Sequence, residues 1–326
     1  MQPIGIGLYG QNGHQIHHEL LNQPHGRLVA TAAFDPAALP EELRQDASVQ
    51  HYATLDELLT DPRVALVSLC SPRRTDQADD AIRCLEAGRH VYAEKPCAMT
   101  EAALDAIIAA VARTGRSFRE MANGIAEVQP YRALREVVCS GKLGTVVQVF
   151  AQKSYPYHES RPQDEAVDGG LIGQNAGHAI RMVEQVAGQR IELVEALETQ
   201  VGNPVPGGLQ IACALQMRLE HGGLATIIAN YCNPRAFGSW GNEHLRVFGT
   251  EGMAEITDGG TRTRLVLRDH DCGPLDMSSP SVDYLTTYLQ SLQGTAIMPR
   301  TLEAELHATR IAIRAKASAA RQQSVL

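Results

Sequence analysis

The fold is decided by Ile4-Gly5-Ile6-Gly7-Leu8-Tyr9, a short apolar run followed by the turn Gly10-Gln11-Asn12-Gly13. Such a run is typical of a buried strand, and we expect residues 14–21 after the turn to be helical. Further apolar runs, separated by amphipathic helical patterns, occupy residues 28–34, 64–69 and 90–93. Apolar strands alternating with helices are typical of a parallel sheet covered on both faces. The pattern therefore predicts a doubly wound α/β domain over residues 1–122.

The second half of the chain changes character, because its strand-like segments are longer and two-sided. From Leu209 to Leu219 every second residue is apolar, which predicts a strand with one buried face. Paired glycines in residues 221–223 and 258–260 predict hairpin turns between such strands. We therefore expect a second α/β domain over residues 123–326, with a large, mainly antiparallel open sheet.

Composition excludes several classes of function. The formal net charge is −8 and Lys and Arg form no cluster, which argues against a nucleic-acid partner. The seven cysteines are scattered without a Cys-x-x-Cys pair, so neither a disulfide framework nor a metal site is predicted. No apolar run approaches the about 18 residues of a membrane span, and no targeting segment is recognisable. We expect a cytoplasmic protein without a membrane partner.

The turn after the first strand is a candidate phosphate site, because backbone N–H groups point outward there. In the pattern G-x-G-x-x-G the first glycine is Gly10, but Asn12 and Gln15 replace the other two. Asn tolerates left-handed backbone, so the turn remains possible, although a plain strand–helix connection fits equally well. Asp35, 25 positions after Gly10, favours a dinucleotide, since a carboxylate there accepts ribose hydroxyls. The alternative for Asp35 is a simple strand terminator. The predicted cofactor residues of this region are Gly10, Asn12, Gly13, His14 and Asp35.

The most specific motif ends in Glu94-Lys95-Pro96. The stretch Cys84-Leu85-Glu86-Ala87-Gly88-Arg89-His90-Val91-Tyr92-Ala93-Glu94-Lys95-Pro96 resembles A-L-x-A-G-K-H-V-x-x-E-K-P, the mark of the Gfo/Idh/MocA family of nicotinamide-dependent oxidoreductases. The resemblance implies a Rossmann domain and a C-terminal domain whose open sheet makes the contacts of a homo-oligomer, a dimer or tetramer. It also implies NAD(P)-linked hydride transfer at a hydroxyl-bearing carbon or its ketone.

By this resemblance Lys95 lies near the nicotinamide and the reacting oxygen, and Ser71, Pro72 and Glu94 contribute to the cofactor site. An ammonium at the carboxyl end of a parallel strand points into the crevice where ligands bind, and it can stabilise a developing alkoxide. Without the family, a Glu-Lys pair at a strand end is more often a surface ion pair of little energetic worth.

The substrate motif of the family, G-G-x-x-x-D-x-G-x-H-x-x-D, is altered in this chain. His178 matches it, whereas Gln174 and Arg181 replace the two aspartates. If the segment is helical, these three side chains share a polar face that can bind a hydroxylated or anionic ligand. The alternative is a solvated helix face. These departures indicate a divergent branch, for which the common sugar or inositol substrates are not assumed. The predicted substrate residues are Tyr155, His158, Gln174, His178 and Arg181.

Three functions fit the sequence. We expect an NAD-dependent oxidoreductase for a small polyhydroxylated or carboxylated substrate, with Lys95 and His178 as catalytic residues. NAD is preferred to NADP because Asp35 would repel a 2′-phosphate. A second possibility is an enzyme that uses bound NAD transiently for elimination or hydrolysis, and net NADH release separates the two. The third is an NAD-binding sensor or partner protein, which would bind NAD without turnover.

Overall fold

Two sheets organise the chain in the computed structural model, which describes residues 2–323. The chain divides into two compact units. The first contains the residues up to 122 together with 166–168 and 284–307, and the second contains the rest. The segments 166–168 and 284–307 thus join the first unit, although the sequence assigned them to the second domain. Segment 284–307 belongs to the first unit because its side chains Tyr288 and Leu289 are buried in the hydrophobic core of that unit.

The sheet of the first unit has six parallel strands. They are β1 (Ile4–Tyr9), β2 (Gly26–Ala32), β3 (Gln50–Tyr52), β4 (Leu66–Leu69), β5 (His90–Ala93) and β6 (Phe118–Glu120). Their order is β3-β2-β1-β4-β5-β6, and all five pairings are parallel. The order reverses between β1 and β4, which is where open α/β sheets bind ligands. The predicted doubly wound sheet is confirmed.

The sheet of the second unit has eight strands. They are β7 (Val146–Ser154), β8 (Ile191–Thr199), β9 (Ala212–Leu219), β10 (Leu224–Asn230), β11 (Asn242–Gly249), β12 (Gly252–Thr257), β13 (Arg262–Leu267) and β14 (His270–Gly273). Their order is β14-β13-β12-β11-β7-β10-β9-β8. Among the described strands of this second sheet, only the β7–β10 pairing is parallel. The predicted, mainly antiparallel sheet is confirmed, while its role in oligomer contacts stays a prediction.

The α-helices within residues 2–323 are α1 (Glu41–Arg44), α2 (Leu55–Thr60), α3 (Gln77–Glu86), α4 (Glu101–Thr114), α5 (Tyr131–Cys139), α6 (Glu165–Asp168), α7 (Gly177–Arg181), α8 (Tyr284–Leu292) and α9 (Leu302–Gln323). Local signals set several ends. Thr54 caps α2 in a reciprocal pair with Glu57, and Thr100 caps α4. Gly115, with φ of 65°, ends α4 in the left-handed conformation. Within the described part of the chain, no helix combines the length and apolarity of a membrane span.

The helix predicted at residues 14–21 is wrong. Only a short 3₁₀ turn, Glu19–Asn22, forms there. The buried amide of Gln15 donates to the carbonyls of Gly10 at 3.0 Å and Ser68 at 3.3 Å, and its oxygen accepts the Ile16 N–H at 3.1 Å. These side-chain bonds hold the backbone in a non-helical path. The turn after β1 therefore lacks the helix dipole that a helix over residues 14–21 would have supplied.

Candidate cofactor and substrate sites

Two positions in the turn after β1 require glycine. Gly10 has φ of 69°, and a Cβ there would lie 2.0 Å from the carbonyl oxygen of Cys70. Gly13 has φ of 122°, and a Cβ there would lie 2.5 Å from Cγ of Glu94. Because only glycine combines this backbone with so close an approach, the turn brings main chain directly against the neighbouring strand ends.

Asn12 supports the turn by its side chain and not by a left-handed backbone. Its φ is not positive, which corrects the reason given for Asn at this position. Its amide donates to the carbonyls of Pro72, at 3.2 Å, and Val167. The guanidinium of Arg74, which is buried, donates to the Asn12 carbonyl at 2.6 Å. Sequence reasoning missed Arg74, because arginine is a residue type expected at the surface.

The carboxylate of Glu94 accepts hydrogen bonds from His14 at the end of this turn. Its carboxylate is buried, accepts the His14 N–H at 3.2 Å and lies 3.0 Å from Nδ1 of the same residue. Burial alone raises the pKa of Glu94, but the His14 hydrogen bond and the Lys95 charge outweigh it and lower that pKa to about 2. The turn therefore already holds an anion supplied by the protein.

The residues of the first unit fit a dinucleotide. The turn lies at the carboxyl end of β1, where open α/β sheets bind phosphates, and its His14 N–H is occupied by the Glu94 carboxylate. Asp35 follows β2 and is exposed, and one of its oxygens accepts the Ala37 N–H at 2.9 Å. Ser71 is buried, and its hydroxyl donates to Asp80 at 2.8 Å, so its side chain supports the loop after β4. The exposed Pro72 follows it in that loop.

Lys95 follows the end of β5, and the residue is 1% exposed. Its Nζ lies 3.7 Å from a carboxylate oxygen of Glu94. The side-chain amide of Gln77, also buried, donates to the carbonyls of Glu94 and Pro96, the latter at 3.4 Å. The surface ion pair offered as an alternative is therefore wrong, because both charges are buried. A buried, fixed ammonium at this strand end suits the stabilisation of a negatively charged oxygen.

In the second unit, the segment that carries His178 is helical but irregular. The helix α7 lies between two π-helical turns, Ile172–Ala176 and Met182–Val186. Such turns are frequent at functional sites, because they change which side chains share a face. Gln174 and His178 are both half-buried and partly accessible, and the face that they share stays a prediction.

Arg181 does not lie on that accessible face, which corrects the prediction. Arg181 is 1% exposed, and its guanidinium donates to three acceptors of the second unit. These are Asn123 Oδ1 at 3.0 Å, the Gly177 carbonyl at 2.9 Å and Thr309 Oγ1 at 3.0 Å. A buried charge with its hydrogen bonds satisfied is a structural feature, and a substrate role for Arg181 stays a prediction without support from this geometry.

Replacing Arg181 by Met should lower the free energy of unfolding by about 2–4 kcal/mol, because a buried network loses its central donor. Met is unbranched and fills a similar volume, so the lost hydrogen bonds dominate the effect. Urea unfolding followed by circular dichroism measures the change. The exposed pair of Arg218 and Glu192 provides the control, since Arg218→Met should cost less than about 1 kcal/mol. Equal losses in the two variants would contradict the role of Arg181.

The other predicted substrate residues lie around an aromatic cluster. The Tyr155 ring is edge-on to His178, with ring centroids 6.5 Å apart, and lies 6.0 Å from the Trp240 ring. The ring of His158, which is exposed, lies 6.4 Å from Trp240. Nζ of Lys153 lies 4.9 Å from the Tyr155 ring centroid. Sequence reasoning missed Trp240, because nothing local to it shows that its loop returns to Tyr155.

The chain resembles proteins of one enzyme family over most of its length. Residues 4–121 match the family model described as "Oxidoreductase family, NAD-binding Rossmann fold", and residues 131–255 match "GFO/IDH/MocA C-terminal domain". The myo-inositol 2-dehydrogenase of Thermotoga maritima is 26% identical, over 89% of this chain and 85% of that protein. The trans-1,2-dihydrobenzene-1,2-diol dehydrogenase of Bos taurus is 27% identical, over 73% and 68%. The aldose-aldose oxidoreductase of Caulobacter crescentus, complexed with glycerol, has the same fold, with a TM-score of 0.79, 20% identity and 98% of both chains covered.

Proposed function

The chain belongs to the Gfo/Idh/MocA family of NAD(P)-dependent oxidoreductases, and we propose that it transfers a hydride between NAD and a hydroxyl-bearing carbon of a small polyhydroxylated substrate. The observation that carries the proposal is Lys95, a buried ammonium fixed at the end of β5 beside an ionised Glu94. A neighbouring carboxylate offsets part of the cost of burying this charge. Such an ammonium is suited to act on an oxygen whose negative charge grows during the reaction.

The residues of the turn would hold the cofactor. The turn 10–14 would lie against the pyrophosphate, and Asp35 would accept the hydroxyls of the adenosine ribose. When bound, the nicotinamide supplies or accepts the hydride. Lys95 would stabilise the negative charge on the substrate oxygen. His178 would exchange the proton, because an imidazole titrates near the working pH.

The substrate class is proposed from the relatives. Two of them are named for ring alcohols, myo-inositol and a dihydrobenzenediol, and a protein of the same fold is named for aldoses. A half-buried face with an amide, an imidazole and aromatic rings is suited to hydroxyl groups carried on a carbon ring. We therefore favour cyclic polyols over open-chain hydroxy acids as substrates.

The test is NADH formation from NAD across a panel of cyclic polyols, aldoses and sugar acids. We expect NADH and ketone product to accumulate in equal amounts with at least one of them. Product formed by elimination or hydrolysis without net NADH would overturn the proposal in favour of transient cofactor use. Tight NAD binding with no product across the panel would favour a binding protein without turnover.

The cofactor preference is a separate prediction. NAD should bind about five to ten times more tightly than NADP, because the Asp35 carboxylate opposes a 2′-phosphate with about 1 kcal/mol at an exposed site. Isothermal titration calorimetry with both cofactors measures the two dissociation constants. Asp35→Asn, which keeps the side-chain size, should reduce the difference. Tighter binding of NADP by the unmodified protein would exclude this role of Asp35.

A further inference from the structure

We propose that Trp240 forms an aromatic wall of the substrate site, against which the apolar face of a cyclic polyol stacks; this inference rests on the proposed function. Trp240 is the single tryptophan of the chain and is 54% exposed. Its ring centroid lies 6.0 Å from that of Tyr155, with 34° between the rings, and Tyr155 lies in turn against His178. An exposed indole is thus connected through one ring to the proposed proton-transfer residue.

The loop that carries Trp240 is fixed in place by a buried side chain. Asn233 donates its backbone N–H to the Tyr155 carbonyl at 3.0 Å. Its side-chain amide donates to the carbonyls of Ser239, at 3.2 Å, and Trp240, at 3.1 Å. The backbone of Trp240 is therefore attached to the residue that its ring contacts. A preorganised aromatic surface binds a ligand without a further loss of loop entropy.

Charged groups already cover the neighbouring aromatic rings. The guanidinium of Arg161 lies 4.0 Å from the Tyr231 ring centroid, and Lys153 lies against Tyr155. Both of these tyrosines are buried, whereas the Trp240 indole is accessible. Within this cluster, Trp240 and His158 carry the exposed rings, and the indole of Trp240 presents the larger apolar surface to a ligand.

The chemistry of an indole face selects the shape of the substrate. An aromatic face is negative and attracts C–H groups, which a cyclic polyol presents together on one side of its ring while its hydroxyls point outward. An open-chain polyol has no such face, and it loses the freedom of several rotatable bonds when it is flattened on a ring. Trp240 should therefore discriminate ring substrates from linear ones.

The kinetic test compares Trp240→Ala, Trp240→Phe and Trp240→Leu with the unmodified enzyme, using myo-inositol or glucose as ring substrates and sorbitol as the linear one. We expect Trp240→Ala to raise KM for the ring substrates about 3–10-fold, with kcat and NAD affinity within about twofold, and to leave KM for sorbitol unchanged. Phe should restore most of the loss, whereas Leu, apolar but not aromatic, should not. Phe237, exposed in the same loop, gives the control, and Phe237→Ala should change neither KM.

A second readout does not depend on turnover. With NAD present, Trp240 fluorescence should change on saturation with myo-inositol and not with sorbitol, and no other tryptophan contributes. A fluorescence response without NADH formation would overturn the proposed reaction and keep the assignment of Trp240. If ring substrates are turned over but cause no fluorescence response, and Trp240→Ala leaves their KM unchanged, the assignment of Trp240 is overturned while the proposed reaction stands. Equal KM increases for ring and linear substrates would also overturn the assignment of Trp240.

Discussion

Replacing Lys95 by Met should reduce kcat by about 10²–10³-fold, which is the scale for the loss of one preorganised group that stabilises an oxyanion. Methionine keeps the length of the side chain and removes only its charge. NAD affinity should change little, because the turn donors and Asp35 are untouched. Steady-state NADH formation measures kcat, and calorimetric titration measures the NAD affinity.

The same substitution has a predictable effect on stability. Lys95 is one of the charges that lower the pKa of Glu94 to about 2, so its loss should raise that pKa. A carboxyl with a lowered folded-state pKa stabilises the protein above its unfolded pKa, and this stabilisation is lost as the pH falls toward the folded value. In Lys95→Met the ionised Glu94 should therefore contribute less to the free energy of unfolding at neutral pH. Acidification between about pH 4.5 and pH 2 should then cost the variant less stability than it costs the unmodified protein.

The matched control for the kinetic effect is Lys142→Met, an exposed lysine of the second unit, which should leave kcat unchanged. Circular dichroism at neutral pH confirms that Lys95→Met is folded before its kinetics are compared. An unchanged kcat in the folded variant would be decisive against Lys95 as the group that stabilises the reacting oxygen.

The strands and most helix ends could be predicted because their causes are local. Buried parallel strands are apolar on both faces, so each appears in the sequence as a continuous run. Thr54 and Thr100 cap helices by bonds to residues three positions ahead, and Gly115 ends a helix through its own backbone angles. The helix predicted over residues 14–21 does not form, because the Gln15 side chain donates hydrogen bonds to carbonyls at the strand ends. One of these is the carbonyl of Ser68, which is distant in sequence.

The candidate site was harder to predict, for a related reason. Spacing placed Arg181 on the same face as His178, but its partners Asn123 and Thr309 are distant in sequence and draw the guanidinium inward. Trp240 likewise depends on Asn233, which joins its loop to Tyr155. Motif spacing predicts candidate site residues, whereas long-range hydrogen bonds decide which of those side chains are accessible to a ligand.

His178→Asn should reduce kcat/KM by about 10²–10⁴-fold and remove the near-neutral limb of its pH profile, because hydride transfer at a C–OH carbon requires a proton acceptor or donor. Gln174 and His178 are both half-buried, and on the predicted shared face a carboxylate at position 174 would stabilise the imidazolium. Gln174→Asp should therefore move the limb to higher pH by about 0.3–1 pH unit. The measurement is kcat/KM against pH for the unmodified enzyme and both variants.

The control for the shift is Gln174→Asn, which shortens the side chain by the same carbon atom and stays neutral, so the limb should remain in place. A shift in Gln174→Asp alone then reports charge and not packing. If His178→Asn retains the limb at the same pH, His178 only hydrogen-bonds the substrate, and Lys95 takes over the proton. The two assignments predict different results for His178→Asn, because the limb disappears with the imidazole only if His178 is the titrating group.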